Sequence, residues 1–218
     1  ERIARSFSRC AMVTPMKDEA APPGVALYGA DEHGLISGYV LQPGQRGREV
    51  SCERAQQLAT QGVPDDGSFI WLHFNLAHSG AQPWLRENLP LPEDYFEAVH
   101  GGSRSTRIER LGHTLLGVVN DVTFGFSFDA SDVATLWISL TGRMVVSARR
   151  HPLRAVDRLR EAVKRGETFA SPMDLLDHLL RDQADELQRS ARAVTERVDD
   201  VEDALLAGKK AHGMELSR

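Results

Sequence analysis

The chain has 218 residues, with 26 Lys and Arg against 31 Asp and Glu, a formal charge of −5 and a pI near 5.9. That length can bury one sizeable core, or one core carrying an extended helical appendage. The acidic balance argues against a nucleic-acid partner, which calls for a net basic field or a dedicated basic stripe.

Residues 1–23 hold scattered arginines and small residues without the apolar stretch of a secretory signal, and 1–34 as a whole reads as a poorly ordered or irregular lead-in. The two cysteines, Cys10 and Cys52, are far apart and lack C-x-x-C spacing, which fits a reducing compartment better than a redox pair or zinc knuckle. No run approaches the roughly 20 apolar residues that span a bilayer. Stretches such as Leu115-Leu116-Gly117-Val118-Val119 are strand-sized, so the chain is expected to be soluble.

Residues 35–42 read as a strand, with Glu49 and Val50 as a short partner, followed by a helix over 51–60 that Gly62 and Pro64 close. Ser68-Phe69-Ile70-Trp71-Leu72-His73-Phe74 is nearly continuous in apolar residues, the pattern of a strand buried on both faces. Two short helices are predicted over 79–88 and 92–100, with Gly101-Gly102 as the stop. Four strands follow at 106–111, 113–124, 134–140 and 144–149, with turn signals at Gly112, 129–132 and Thr141-Gly142. Such rapid succession implies antiparallel hairpins, and the whole predicts an α/β or α+β fold in which helices cover a mixed sheet.

Residues 152–165 form an amphipathic helix with Leu153, Val156, Leu159 and Val163 on one side, ended by Gly166. Ser171-Pro172-Met173-Asp174 is a helix start, with a capping serine, proline at the first position and an acid at the third. No glycine or proline then interrupts the chain to Ala207, a helix on the order of 55 Å long. Leu176, Leu180, Leu187, Ala191, Val194, Val198, Val201 and Leu205 step by fours and threes, with Gln183 inside the seam. This coiled-coil period requires a helical partner. Residues 35–166 are therefore expected to form the α/β domain and 167–218 a long acidic arm.

No nucleophile elbow, P-loop or dinucleotide fingerprint is present, and no enzyme activity is expected. His73, His78, His100 and His113 fall in one stretch without zinc-site spacing, so ordinary core and surface histidines are the simpler reading. Arg143, Arg149, Arg150, His151, Arg154, Arg158, Arg160, Lys164 and Arg165 form a basic region. Either it binds phosphate or it answers the acidic helix after it, and the absence of stacking aromatics favours the second reading. Between 174 and 203 ten acids face four arginines. Asp199 and Asp203 lie four apart on one helical face, where their carboxylates could share a hard divalent cation; the alternative is a solvated charged face.

Several segments, in this order, carry a family resemblance: Trp71-Leu72-His73-Phe74-Asn75, Trp84-Leu85, Thr106-Arg107-Ile108-Glu109, Leu136-Trp137-Ile138-Ser139-Leu140, the run from Gly142 to Arg150, and Leu153-Arg154-Ala155-Val156. Together they resemble the N-terminal cytoplasmic domain of the CorA/ZntB divalent-cation transporters, and look closer to the ZntB branch. The resemblance implies an α/β/α layered domain followed by long helices, assembled as a funnel-shaped homopentamer on the cytoplasmic face of the inner membrane. It also implies two later membrane spans and a Gly-Met-Asn pore loop, which Gly213-Met214-Glu215 does not match, so the chain reads as the portion preceding the pore. Zinc or magnesium would be a transported or regulatory ion, with no cofactor required. The family's regulatory carboxylates lie between protomers and do not align onto this chain, so Asp199 and Asp203 rest on spacing alone. A free-standing coiled-coil scaffold is the alternative, carried by the seam itself.

Overall fold

A computed structural model describes residues 29–101, 105–122 and 133–215, with side chains at 122 and 207–215 left undescribed. The lead-in up to residue 28, Cys10, Gly102, Thr123, Phe124 and the turn at 129–132 lie outside the described residues.

In chain order the elements are β1 (Leu35–Leu41), β2 (Arg48–Glu49), α1 (Cys52–Gln61), β3 (Phe69–Asn75), α2 (Ala81–Asn88), α3 (Glu93–Gly101), β4 (Arg107–Leu111) and β5 (Thr114–Val122). β6 (Val133–Leu140), β7 (Met144–Arg149), α4 (Arg154–Arg165) and α5 (Pro172–Glu215) complete the fold. The strands make one seven-stranded sheet in the order β2-β1-β3-β7-β6-β5-β4. The expected hairpins are present from β4 to β7, and β1 pairs antiparallel with β2 and β3. At the centre β3 and β7 run parallel, which makes the sheet mixed and requires a long crossover through α2, α3 and three strands.

Strand alternation divides the core into two layers. From β3, Ile70, Leu72 and Phe74 point toward α1, α2 and α3, where they meet Leu58, Trp84, Leu85, Tyr95 and Phe96. Phe69 and Trp71 point the other way, with Leu136, Ile138 and Val145, against α4 and the start of α5. All seven β3 residues are buried, as a strand covered on both faces must be. The fold is thus an α/β/α sandwich with a long C-terminal helix.

Two glycines are dictated by geometry. A Cβ on Gly38 would stand 2.7 Å from the Val50 carbonyl oxygen, where the chain leaving β2 crosses β1. Gly166 ends α4 at φ 95°, and the Gly166 N–H to Val163 and Glu167 N–H to Ala162 bonds form a Schellman closure that turns the chain into α5. The Ser171 hydroxyl then accepts from the Asp174 N–H at 3.1 Å, while the Asp174 carboxylate reaches back to the Ala170 N–H at 2.8 Å. This is the helix start expected from the sequence.

Candidate functional site

α5 is one uninterrupted helix of 44 residues, about 66 Å long, in two different environments. Leu175, Leu176 and Leu179 are buried with Phe169, Leu153, Val156 and Leu159 in the layer beneath the sheet, and Leu180 packs at its margin. The arm expected from residue 167 therefore shares the core of the α/β domain through its first turns.

Two polar residues end this buried stretch. The Gln183 side-chain amide donates to the Asn120 carbonyl at the end of β5. One turn on, the Glu186 carboxylate, 2% exposed, accepts from Arg154 and Arg158 of α4 at 2.5 Å each and pairs with Arg189 at 3.1 Å. Burial pushes the Glu186 carboxyl upward, but the Arg154 hydrogen bond and the charges of Arg158 and Arg189 outweigh it and hold the group below its ordinary range. The ion pairs are the condition for burying that charge.

Past Glu186 the seam continues with nothing covering it among the described residues. Leu187 is 45% exposed, Val194 41%, Val198 50%, Val201 59% and Leu205 61%. Isolated exposed apolar residues are ordinary, but a row kept at four-three spacing for five turns is a contact surface. Asp199 and Asp203 stand one turn apart in this exposed stretch, with Glu196, Asp200 and Glu202 around them.

The basic region is largely answered within the chain. Arg154 and Arg158 meet the acidic helix at Glu186, as expected, and Arg160 pairs with Asp157 at 2.6 Å. Arg150 lies over the Trp137 ring at 5.4 Å, and Arg143 binds the Val63 and Pro64 carbonyls. Arg149 departs from the picture of a solvated face: it is 1% exposed, on β7, and donates from Nε to His73 Nε2 at 3.1 Å. That bond makes Nε2 the acceptor, so His73 Nδ1–H donates to Ser147 Oγ at 2.9 Å, which also accepts from Trp71 Nε1 at 2.9 Å. Ser147 in turn donates to the Leu72 carbonyl at 3.4 Å. Burial, then the Arg149 and Arg160 charges, hold His73 well below the usual imidazole range and keep it neutral.

The other histidines do not join it. His78 Nδ1 accepts from the Gly80 N–H at 3.2 Å, and His100 Nδ1 faces the Phe96 carbonyl at 2.7 Å. None of His73, His78, His100 and His113 belongs to a group of three or more potential metal ligands among the described residues. The group that does form there is Glu32, His33 and Glu53, which sequence spacing did not single out. Two of its members precede β1 and the third opens α1, so only the folded chain joins them.

A sequence model of the family described as "CorA-like Mg2+ transporter protein" matches residues 66–217. The chain belongs to that CorA-like family. Divalent cation transporter CmaX of Pseudomonas aeruginosa is 30% identical over 190 residues, covering 85% of this chain and 55% of the relative. The structure of full-length CmaX superposes with a TM-score of 0.68 at 27% identity, over 80% of this chain and 52% of that one. Zinc transport protein ZntB of Pectobacterium atrosepticum is 22% identical over 152 residues, 70% of this chain and 46% of the relative. The ZntB cytoplasmic domain of Vibrio parahaemolyticus shares the fold, with a TM-score of 0.61 at 13% identity over 77% of this chain and 64% of that domain. This CorA-like chain spans about half the length of the curated relatives it matches. Among its described residues no helix is long and apolar enough to cross a membrane.

Proposed function

We propose that this CorA-like chain is the cytoplasmic regulatory and assembly portion of a divalent-cation transporter, forming with its copies a homopentameric funnel below a membrane pore on the inner-membrane face. The observation that carries this reading is the change along α5. The helix is clamped into the α/β domain up to Glu186 and then extends a four-three apolar row, flanked by acids, that no described residue covers. Helices from neighbouring copies, or helices that follow in a longer chain, would cover that row. Family membership favours this over a free-standing coiled-coil scaffold, since the relatives are named as transporters about twice as long.

Zinc and magnesium both suit the proposal, because the matched family description names magnesium and the ZntB relatives name zinc. Asp199 and Asp203 are proposed to contribute a cation site completed by carboxylates of a second copy, since two exposed carboxylates leave most of a hard ion's six to eight ligand positions unfilled. The test is cation flux into liposomes carrying the full-length protein, with zinc and magnesium indicators inside. Uptake of either ion, lost when residues of the α5 row are made polar, supports the reading. Absence of flux from a correctly assembled protein overturns it.

A further inference from the structure

The turn before β1 and the first turn of α1 converge at Glu32, His33 and Glu53. One ligand atom from each of these side chains lies within 4.8 Å of the other two. The framework that places them is largely external to the cluster. Asp31 Oδ1 accepts from the His33 and Leu35 N–H groups at 2.9 and 2.8 Å, and the Asn75 N–H of β3 ties down the Gly34 carbonyl at 2.8 Å. The His33 ring stacks on Trp84 of α2, with centroids 6.1 Å apart and planes at 26°, and Trp84 rests on Phe74 of β3 at 5.4 Å. The imidazole is therefore oriented by the core and not by the carboxylates beside it.

Charge at this point is poorly balanced. Among the described residues no Lys or Arg comes within ion-pair distance of Glu32 or Glu53, and the one basic group in reach is His33 itself, 3.6 Å from Glu32. The positive end of α1 and the Ser51 hydroxyl favour Glu53 locally, but neither separates two carboxylates that converge on one imidazole. A cation between them would do so.

We propose that Glu32, His33 and Glu53 bind one first-row divalent cation of borderline softness, with zinc the best fit. One imidazole nitrogen and two carboxylates are a zinc donor set, and the exposure of both glutamates leaves room for water as a fourth ligand. Magnesium, which takes oxygen ligands in a near-octahedral shell, gains nothing from the imidazole. Zinc bonds of about 2.0–2.2 Å bring neighbouring ligand atoms to roughly 3.4 Å of one another, a contraction that two exposed glutamate side chains can supply. Cys52, next in sequence to Glu53, is buried and stands outside the group of converging ligand atoms, so the donor set is nitrogen and oxygen only. The site stands on this chain's own geometry and is independent of the transport reading.

Titration of the purified chain carrying Asp199→Asn/Asp203→Asn, which removes the other proposed cation site, with zinc, cobalt and magnesium decides it, adding His33→Ala, the double variant Glu32→Gln/Glu53→Gln, or Asp94→Asn/Glu97→Gln among the exposed acids of α3 as the control. The expected result is one zinc per chain, not displaced by equimolar magnesium. Affinity should fall by at least about tenfold in both cluster variants and stay unchanged in the control. Cobalt should show a d–d spectrum without a thiolate charge-transfer band. Should His33→Ala unfold the loop through loss of the Trp84 contact, the double glutamine variant carries the decision. Zinc binding that survives the cluster variants, disappears in the α3 control, or is matched by magnesium overturns the proposal.

Discussion

Arg154 holds Glu186 at 2.5 Å, joining α4 to α5 through a carboxylate that is only 2% exposed. With Arg158 and Arg189 completing the shell, the ion pair is a clamp whose members are not equivalent. Replacing Glu186 by Gln removes the charge together with the need to neutralise it, at a cost of about 1–3 kcal/mol. Replacing Arg154 and Arg158 together by Ala strands a buried carboxylate with one exposed partner, at a cost of about 3–5 kcal/mol. Urea denaturation of the two variants should rank them in that order.

The same clamp sets an acid limit. The folded carboxyl of Glu186 lies below its ordinary range, so its contribution to stability is fully present above the unfolded value of about 4.3. That contribution is lost as pH falls through the lower folded value. Unfolding free energy measured between pH 6 and about 3 should decline less steeply in Glu186→Gln than in the parent chain.

His73 acts in a higher window. Its folded imidazole is held well below the usual range by burial and by Arg149, while the unfolded one titrates near 6.5. The unfolded state therefore binds the extra proton first, and stability declines as pH drops below about 6.5 toward the folded value. The ring resonances of His73 should stay at their neutral positions as pH falls from 8 through about 6.5 in an NMR titration, whereas a ring that titrates near 6.5 would show that the Ser147 and Arg149 bonds are not maintained.

Much of this architecture was legible in the sequence because it rests on short-range patterns. The run from Phe69 to Phe74 reads as a strand covered on both faces, and Ser171-Pro172-Met173-Asp174 is a strong helix start signal. The parallel pairing of β3 with β7 was not legible, because it joins strands separated by some 70 residues and has no local signature. The four-three period of α5 reads the same whether the partner is the chain's own sheet, as for Leu176, or lies outside it, as for Val198. Gln183 and Glu186 look like ordinary polar positions until Asn120 and Arg154 are brought to them. Glu32 and His33 gain Glu53 as a neighbour only once β1 and α1 are folded together, so the candidate cation cluster had no spacing to betray it.

The last prediction separates the two halves of α5. Leu175 and Leu179 are 1% and 4% exposed in the layer beneath the sheet, so Leu175→Ala or Leu179→Ala should cost about 2–5 kcal/mol of folding stability. Val194, Val198 and Val201 bury nothing comparable in the single chain, and Val194→Ser, Val198→Ser and Val201→Ser should each change monomer stability by no more than about 0.5–1 kcal/mol, mostly through helix propensity. Their effect should appear in association. Sedimentation equilibrium across a hundredfold concentration range should show the parent chain gaining mass and the triple serine variant remaining monomeric. Equal mass for both at every concentration would mean that the row is covered by something other than a second copy of this chain, and the helices of a longer chain would then be its partner.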